Sequence, residues 1–544
     1  MRLFFWYHVL FYSWVDRKMN TSRKYLSAKG LLSIIHHQFK KILPPRELAP
    51  RSNPITLTDC LMAGLAVFSL KFPSLLKFDE RKDEKQIKHN LKSLYHVEQA
   101  PSDTYMRERC DEVDPKEVRK AFKRVFSEVQ RGNVLKEFNY LLKDHYLLAG
   151  DGTGFFSSKT VHCENCCSKS YGKCHVVLKL KFPDSLKDVK KNTYMLIKKA
   201  KQPWELYYFD ENKEQIQINI NEIPGLQEII LKKPRKELSK SEKELIKDSI
   251  TAYYRKDHPD EQVIYYHQMF CAAIVHPDKK IVLPLAPEPI IKADGSSKND
   301  CERNAANRLY ADARREHPHL NFIVVEDSLA SNVPHLKDLK ALDMRFIVGA
   351  KPGDHKFLFD LANQSSCIEY CHQTDDGTTH RYRYINDVQL NNSHDFKVNF
   401  LEYWETDKKG KEQHFSWVTD ITITNDNVYQ IMRGGRSNWR IENNTFNTLK
   451  NQDYHFSHNF GHGNKNLCTV FGMLMMLAFF VDQVQEYSCY LFKQARAKFK
   501  SRTSLWDSIR SIFIHYLVVN WDDLFKGIAS GHVLTVFGAA PDTG

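Results

Sequence analysis

The stretch "NFIVVEDSLASNVPHLKDLKALDMRFIVGAKPG", residues 321–353, decides the fold. Its first eight residues are apolar and β-branched up to Glu326 and Asp327, which predicts a buried strand. "NVPHLKDLKALD" follows with a proline in its first turn and predicts a helix. "MRFIVGAKPG" predicts a second strand, stopped by Pro352 and Gly353. Working backwards, "DCERNAANRLYADARREHP" is a predicted helix ended by Pro318. "YYHQMFCAAIVHP" and "KKIVLPLAPEPI" are two predicted strands joined by a turn at Pro277 and Asp278. "HYLLAGDGTGFF" is a short apolar run leading into Asp151 and its glycines.

The resulting order is strand, strand, strand, helix, strand, helix, strand. It predicts an α/β fold, a mixed sheet flanked by helices of ribonuclease-H-like type. In that fold the first and fourth strands are neighbours, so Asp151 and Asp327 are expected to meet. A third acid stands downstream in "RSNWRIENNTFNTLKNQDYHFSHNFGHGNKN" (436–466), where Glu442 sits among Arg, Lys, Asn and His on a predicted helix. Trp439 and Phe446 are placed on its inner side by their i−3 and i+4 spacing. Three carboxylates drawn together repel, and divalent cations relieve that repulsion. Two Mg²⁺ (or Mn²⁺) ions shared by Asp151, Asp327 and Glu442 would suit phosphodiester chemistry. Taken singly, each acid has an ordinary reading, a turn residue or a solvated helix residue.

The rest of the chain is read outward from this core. Residues 19–140 are predicted helical. Thr58 is the expected cap of one helix, and Ser102 or Asp103 of another, with Arg107 and Arg109 exposed. The helix "DPKEVRKAFKRVFSEVQR" has a basic face of Lys116, Arg119, Lys120, Lys123 and Arg124, suited to a DNA backbone or simply to solvent. The core is expected at 141–172 and 262–355, interrupted by a lysine-rich insertion at 173–261. Within that insertion "KKPRKELSKSEKELIKD" is a predicted exposed helix. Alternation in "HRYRYINDV", "FKVNFLEYW" and "FSWVTDITI" predicts an antiparallel β insertion at 356–428. The third-acid helix falls in 429–490 and a helical segment in 491–544.

The 544 residues carry 79 Lys and Arg against 66 Asp and Glu, a formal net charge of +13, which suits a phosphate-rich partner. Twelve cysteines without framework spacing point to a reducing compartment. The longest apolar run, Val470–Val481, falls short of a bilayer span and predicts a buried helix, so no membrane partner is expected. The aromatic-rich first 18 residues lack a small-residue cleavage site, and Met19 is the expected start. "VHCENCCSKSYGKCH" offers Cys163, Cys166, Cys174 and His175 either as a tetrahedral Zn²⁺ set or as clustered thiols beside a hairpin. His455, His458 and His462 are assigned no metal.

"AGDGT" (149–153), "VVEDS" (324–328) and "WRIENNTFNTLKN" with "HNFGHGNKN" (439–451, 458–466) resemble the DDE-class transposases of bacterial insertion sequences. More narrowly, they resemble the group with a β-strand insertion before the final Glu. "SLKFPSLLKFDE" (69–80) and "VEQAPSDTYMRE" (97–108) resemble that family's N-terminal region, and the likeness spans about residues 30–490. The resemblance implies a catalytic triad of Asp151, Asp327 and Glu442 that cleaves and joins DNA at terminal inverted repeats. It further implies a homodimer on DNA, in the bacterial cytoplasm on the nucleoid. The family's Tyr and Arg before the Glu are replaced by Gly435 and Asn438. Arg436, Arg440 and Lys450 stand at shifted spacing as candidate phosphate contacts, and Trp439 as a base-stacking or core residue. Two other readings stay open: a transposase-derived DNA-binding protein without catalysis, and a structure-selective nuclease.

Overall fold

A computed structural model describes residues 25–43, 55–171, 177–181, 194–198, 204–209, 215–218, 230–232, 251–255, 262–292 and 301–531. Met19, Cys174, His175 and nearly all of the predicted lysine-rich helix lie outside the described residues. The chain divides into two compact units. One comprises Met1–Ser157, His162–Cys167 and Tyr266–Gly544; the other comprises Ser158–Val161 and Ser168–Tyr265.

The first unit is built on an 11-stranded sheet. Nine of its strands form the main path: β1 His145–Ser158, β2 Gln262–His276, β3 Lys279–Pro284, β4 Asn321–Glu326, β5 Arg345–Gly349, β6 Ile368–Gln373, β7 Thr379–Asn391, β8 His394–Thr406 and β9 Glu412–Thr419. They lie in the order β3-β2-β1-β4-β5-β9-β8-β7-β6. β1 pairs with β4 in parallel, from His145 opposite Asn321 to Ala149 opposite Val325, and β4 with β5 likewise. First and fourth strands are therefore neighbours, as the order of elements predicts. Continuous apolar runs such as Phe322–Val325, fully buried, are what a parallel strand covered on both faces requires.

The alternating segment differs from its expectation at its start. It opens with a helix, Lys356–Gln364, and its antiparallel strands continue the core sheet. β9 pairs antiparallel with β5, Ile347 opposite Thr419, so β6–β9 extend the core sheet at its edge. An unpaired β5 edge would expose a row of backbone N–H and C=O groups, and continuing the ladder satisfies them.

The described part of the predicted helical N-terminal region belongs to the first unit. Helices Ala28–Phe39, Leu57–Ser69 and Pro115–Arg131 pack with the 22-residue helix Leu467–Ser488, which is buried from Leu467 to Gln485. That helix has the length and hydropathy of a membrane span, yet its apolar window is wholly buried within the protein. Thr56, not Thr58, caps Leu57–Ser69, in a capping box with Asp59. Ser102 caps Asp103–Asp111. The basic face of Pro115–Arg131 is only partly free. Arg119 is buried and pairs with Glu316 at 2.9 Å and Asp312 at 3.3 Å. Arg109 is buried as well, while Arg107 pairs with Asp103 at 2.7 Å.

The second unit contains a six-stranded sheet in the order Gln215–Ile218, Trp204–Phe209, Tyr194–Lys198, Val177–Lys181, Thr251–Arg255, Ile230–Lys232. Its described part is β-sheet.

Candidate active site

Extending the β1–β4 register two residues beyond Ala149–Val325 sets Asp151 opposite Asp327. Asp327 follows β4 and caps the short helix Ser328–Ala330, its Oδ1 accepting from the Leu329 N–H at 2.9 Å. Asp151 Oδ1 accepts from the Gly152 N–H at 2.8 Å. The two glycines of "AGDGT" have a steric reason. A Cβ at Gly150 would stand 2.1 Å from the Tyr310 hydroxyl, and one at Gly152 would stand 2.3 Å from Glu302 Oε1.

The helix that leads to Glu442 packs on the face of the sheet that carries Leu147. Helix Val428–Arg436 lays Gly434 against Ile347 and Leu147, where a Cβ would be 3.1 and 3.5 Å away. The period of two puts Asp151 on the same face of β1 as Leu147. Glu442 then falls in a π-helical turn, Ile441–Phe446, whose closing bond runs from the Asn447 N–H to the Glu442 carbonyl. Such single widened turns recur where a helix must re-aim a functional side chain. Among the described residues the exposed Glu442 makes no ion pair, despite the cations around it.

Burial, followed by repulsion from Glu302, Asp327 and Glu442, pushes the Asp151 carboxyl up to about 6 against the pull of the Gly152 N–H. Asp327 and Glu442 thus both contribute to the raised Asp151 pKa, and so does a fourth acid, Glu302. Glu302 opens helix Glu302–Glu316, and its own pKa is raised by burial and then by Asp327. It lines a cleft of about 560 Å³ with Asp151, Asp327, Glu326 and His335. Sequence reasoning missed it; an acid in the first turn of a helix is ordinarily a helix-dipole residue. Behind Asp327, the buried His335 Nε2 lies 2.6 Å from Glu326 Oε2. Burial works against protonation of His335, but Glu326 more than offsets it and the pKa ends above the usual value.

The predicted DNA contacts divide. Arg436 is held by Glu405 at 2.6 Å and lies over the Phe415 ring. Arg440 is buried, donating to the Pro277 carbonyl. Both serve the fold, unlike the exposed Lys450. Trp439 was placed on the inner side of its helix, yet it is 48% exposed, with the Arg440 guanidinium 4.9 Å from its ring; Phe446 is buried as expected. Cys163 and Cys166 come together with His267 and His462, while Cys174 and His175 lie outside the described residues.

The repulsion at Asp151 has a measurable sign. A carboxyl whose folded pKa is raised costs stability above that pKa, the cost building as pH climbs from the ordinary carboxylate value to about 6. In chelator-treated protein, Asp151→Asn is expected to stabilise by about 1–2 kcal/mol at pH 7.5, after allowance for partial solvent screening. Thermal melts from pH 4 to 8 should show the gain vanish near pH 4. A gain that is flat across this range would mean that Asp151 is not strained.

No protein-family model and no curated protein matches the chain. Among solved structures it is similar to the cryo-EM structure of piggyBac transposase synaptic complex with hairpin DNA. The match has 11% sequence identity and a TM-score of 0.33, over 97% of this chain and 87% of that chain. A likeness that loose decides nothing about the site.

Proposed function

We propose that the chain is a DNA transposase with a ribonuclease-H-like core, in which Asp151, Asp327 and Glu442 hold divalent metal for cleavage and strand transfer at terminal inverted repeats. What supports this reading is the β1–β4 pairing, which ends at Ala149 opposite Val325, two residues before each aspartate, and the contribution of Asp327 and Glu442 to the raised Asp151 pKa. The donors are hard carboxylate oxygens that strain one another, so they fit Mg²⁺ or Mn²⁺. Such an ion supplies Lewis acidity at a phosphoryl oxygen and a more acidic bound water.

The chain's own groups prepare the site. Backbone N–H groups fix one oxygen each of Asp151 and Asp327, and both residues line the cleft. Gly150 and Gly152 let Tyr310 and Glu302 close against β1. Of the three predicted contact cations Arg436, Arg440 and Lys450, Lys450 is the exposed one that would meet phosphate. Joining two element ends calls for a homodimer on DNA, on the nucleoid in the bacterial cytoplasm.

Purified protein with a supercoiled plasmid carrying both flanks of its gene should nick at the flank ends with Mg²⁺ and not with chelator. Flank-specific binding without nicking would favour a DNA-binding derivative, a reading that the engagement of Arg436 and Arg440 within the fold supports. Cutting of branched DNA regardless of flank would favour a structure-selective nuclease.

Base stacking on an aromatic ring contributes about 1–3 kcal/mol. Trp439→Ala is therefore expected to weaken binding of flank DNA by about 10- to 100-fold at fixed salt, read by fluorescence anisotropy. Unchanged affinity would remove Trp439 from the interface.

A further inference from the structure

We propose that Cys163, Cys166, His267 and His462 form a structural Zn²⁺ site tying both roots of the inserted unit to the loop that follows the Glu442 helix. Their ligand atoms all lie within 4.8 Å of one another, and all four residues are buried. The sulfurs are 3.9 Å apart, His267 Nε2 is 3.3 Å from each, and His462 Nε2 is 3.2 Å from the Cys166 sulfur. Zn–S bonds of about 2.3 Å and Zn–N bonds of about 2.0–2.1 Å set tetrahedral edges of about 3.8 Å between sulfurs and about 3.5 Å between sulfur and nitrogen. The observed spacings are those of a Cys₂His₂ tetrahedron. Four protein ligands leave no open position, which marks a structural rather than a catalytic site.

The surroundings hold these ligands in place by means other than a metal. His462 sits between Gly461 and Gly463, whose φ values of +137° and +68° favour glycine. A Cβ at Gly463 would stand 2.3 Å from Asp111 Oδ1. The Asp111 carboxylate accepts from the backbone N–H groups of Asn464, Lys465, Asn466 and Leu467 at 2.8–3.0 Å, fixing the loop onto the start of helix Leu467–Ser488. The Cys163–Cys166 turn joins the same loop, with Asn165 Nδ2 donating to the Lys465 carbonyl at 2.8 Å. Phe156 packs 4.3 Å from the His462 ring, and Phe155 lies 5.9 Å from that of His267. A dry, preassembled set of two thiols and two imidazoles suits Zn²⁺.

The position explains the need. Cys163 and Cys166 stand just before the chain departs at Ser168, and His267 stands just after it returns at Tyr266. His462 belongs to the segment that closes the third-acid region. A metal cross-link here would isolate the geometry of β1 and β2, and so of Asp151, from an insertion of almost a hundred residues.

The test uses the full chain, purified without added metal and dialysed against a mild chelator. Elemental analysis should find about one zinc per chain, released when a mercurial blocks the thiols. Cys166→Ser and His267→Ala should lose it, whereas Cys174→Ser and His175→Ala should retain it. Should those first variants fail to fold, wild-type protein grown with Co²⁺ gives an independent readout: visible d–d bands of tetrahedral S₂N₂ coordination. Retention of zinc in His267→Ala with loss in Cys174→Ser would overturn the assignment in favour of a contiguous site. A metal-free protein with a Cys163–Cys166 disulfide in peptide mass spectra would overturn it in favour of a redox pair. None of these outcomes depends on DNA cleavage.

Discussion

Asp327→Asn is expected to lower Mg²⁺-dependent nicking by on the order of 10³-fold or more, the scale seen when one transition-state group is removed. The substitution is chosen because it leaves the fold alone. Asp327 caps helix Ser328–Ala330 through the Leu329 N–H, and asparagine is an equally good cap. What it loses is the charge that would hold a cation beside Asp151. Flank binding should be unchanged, since the exposed Trp439 and Lys450 are untouched. The comparison needs a plasmid nicking assay alongside a thermal melt of each protein. Wild-type-like nicking by a normally melting Asp327→Asn protein would sink the triad.

The largest effect on stability is expected at Lys71. Its side chain is fully buried, with Nζ 2.7 Å from Asp482 Oδ2 and 3.0 Å from the Ser69 carbonyl. Its ammonium lies 3.6 Å from the Tyr454 ring centroid and 4.1 Å from that of Trp506. The Tyr454 hydroxyl donates to the same carboxylate oxygen. Burial lowers the Lys71 pKa and raises that of Asp482, while each group draws the other back toward its charged form. Lys71→Met leaves Asp482 buried and uncompensated on the central helix, and should cost about 3–5 kcal/mol in denaturant unfolding. Lys71→Met with Asp482→Leu should recover most of that loss, since the unpaired charge is gone. A single substitution costing less than about 1 kcal/mol would show that water reaches Asp482.

Neither Lys71 nor Asp482 could be paired from the sequence, where 411 residues separate them. The same distance problem explains each correction. Arg119 reads as one of five cations on a helix face, and only packing reveals Glu316 and Asp312 beside it. Trp439 reads as inward by its spacing to Glu442, but the π-helical turn Ile441–Phe446 breaks the regular period on which that spacing relies. Glu302 is one more first-turn acid until Gly152 is seen to make room for it. By contrast Asp151 and Asp327 were legible, because each ends a β-branched or apolar run and the order of strands makes those two runs neighbours.

The sequence by itself determined the strands and helices around 321–353 and the adjacency of the first and fourth strands, with Asp151 within the one and Asp327 just after the other. Those follow from local periodicity and from the few ways short connections can arrange a mixed sheet. Tertiary structure alone decided which cations stay free, how the β segment after Gln364 joins the core sheet, and which imidazoles face Cys163 and Cys166. His267 and His462 lie 104 and 296 residues from their cysteine partners. Convergence over such separations is set by how β2 and the loop after Glu442 pack, and no local propensity records it.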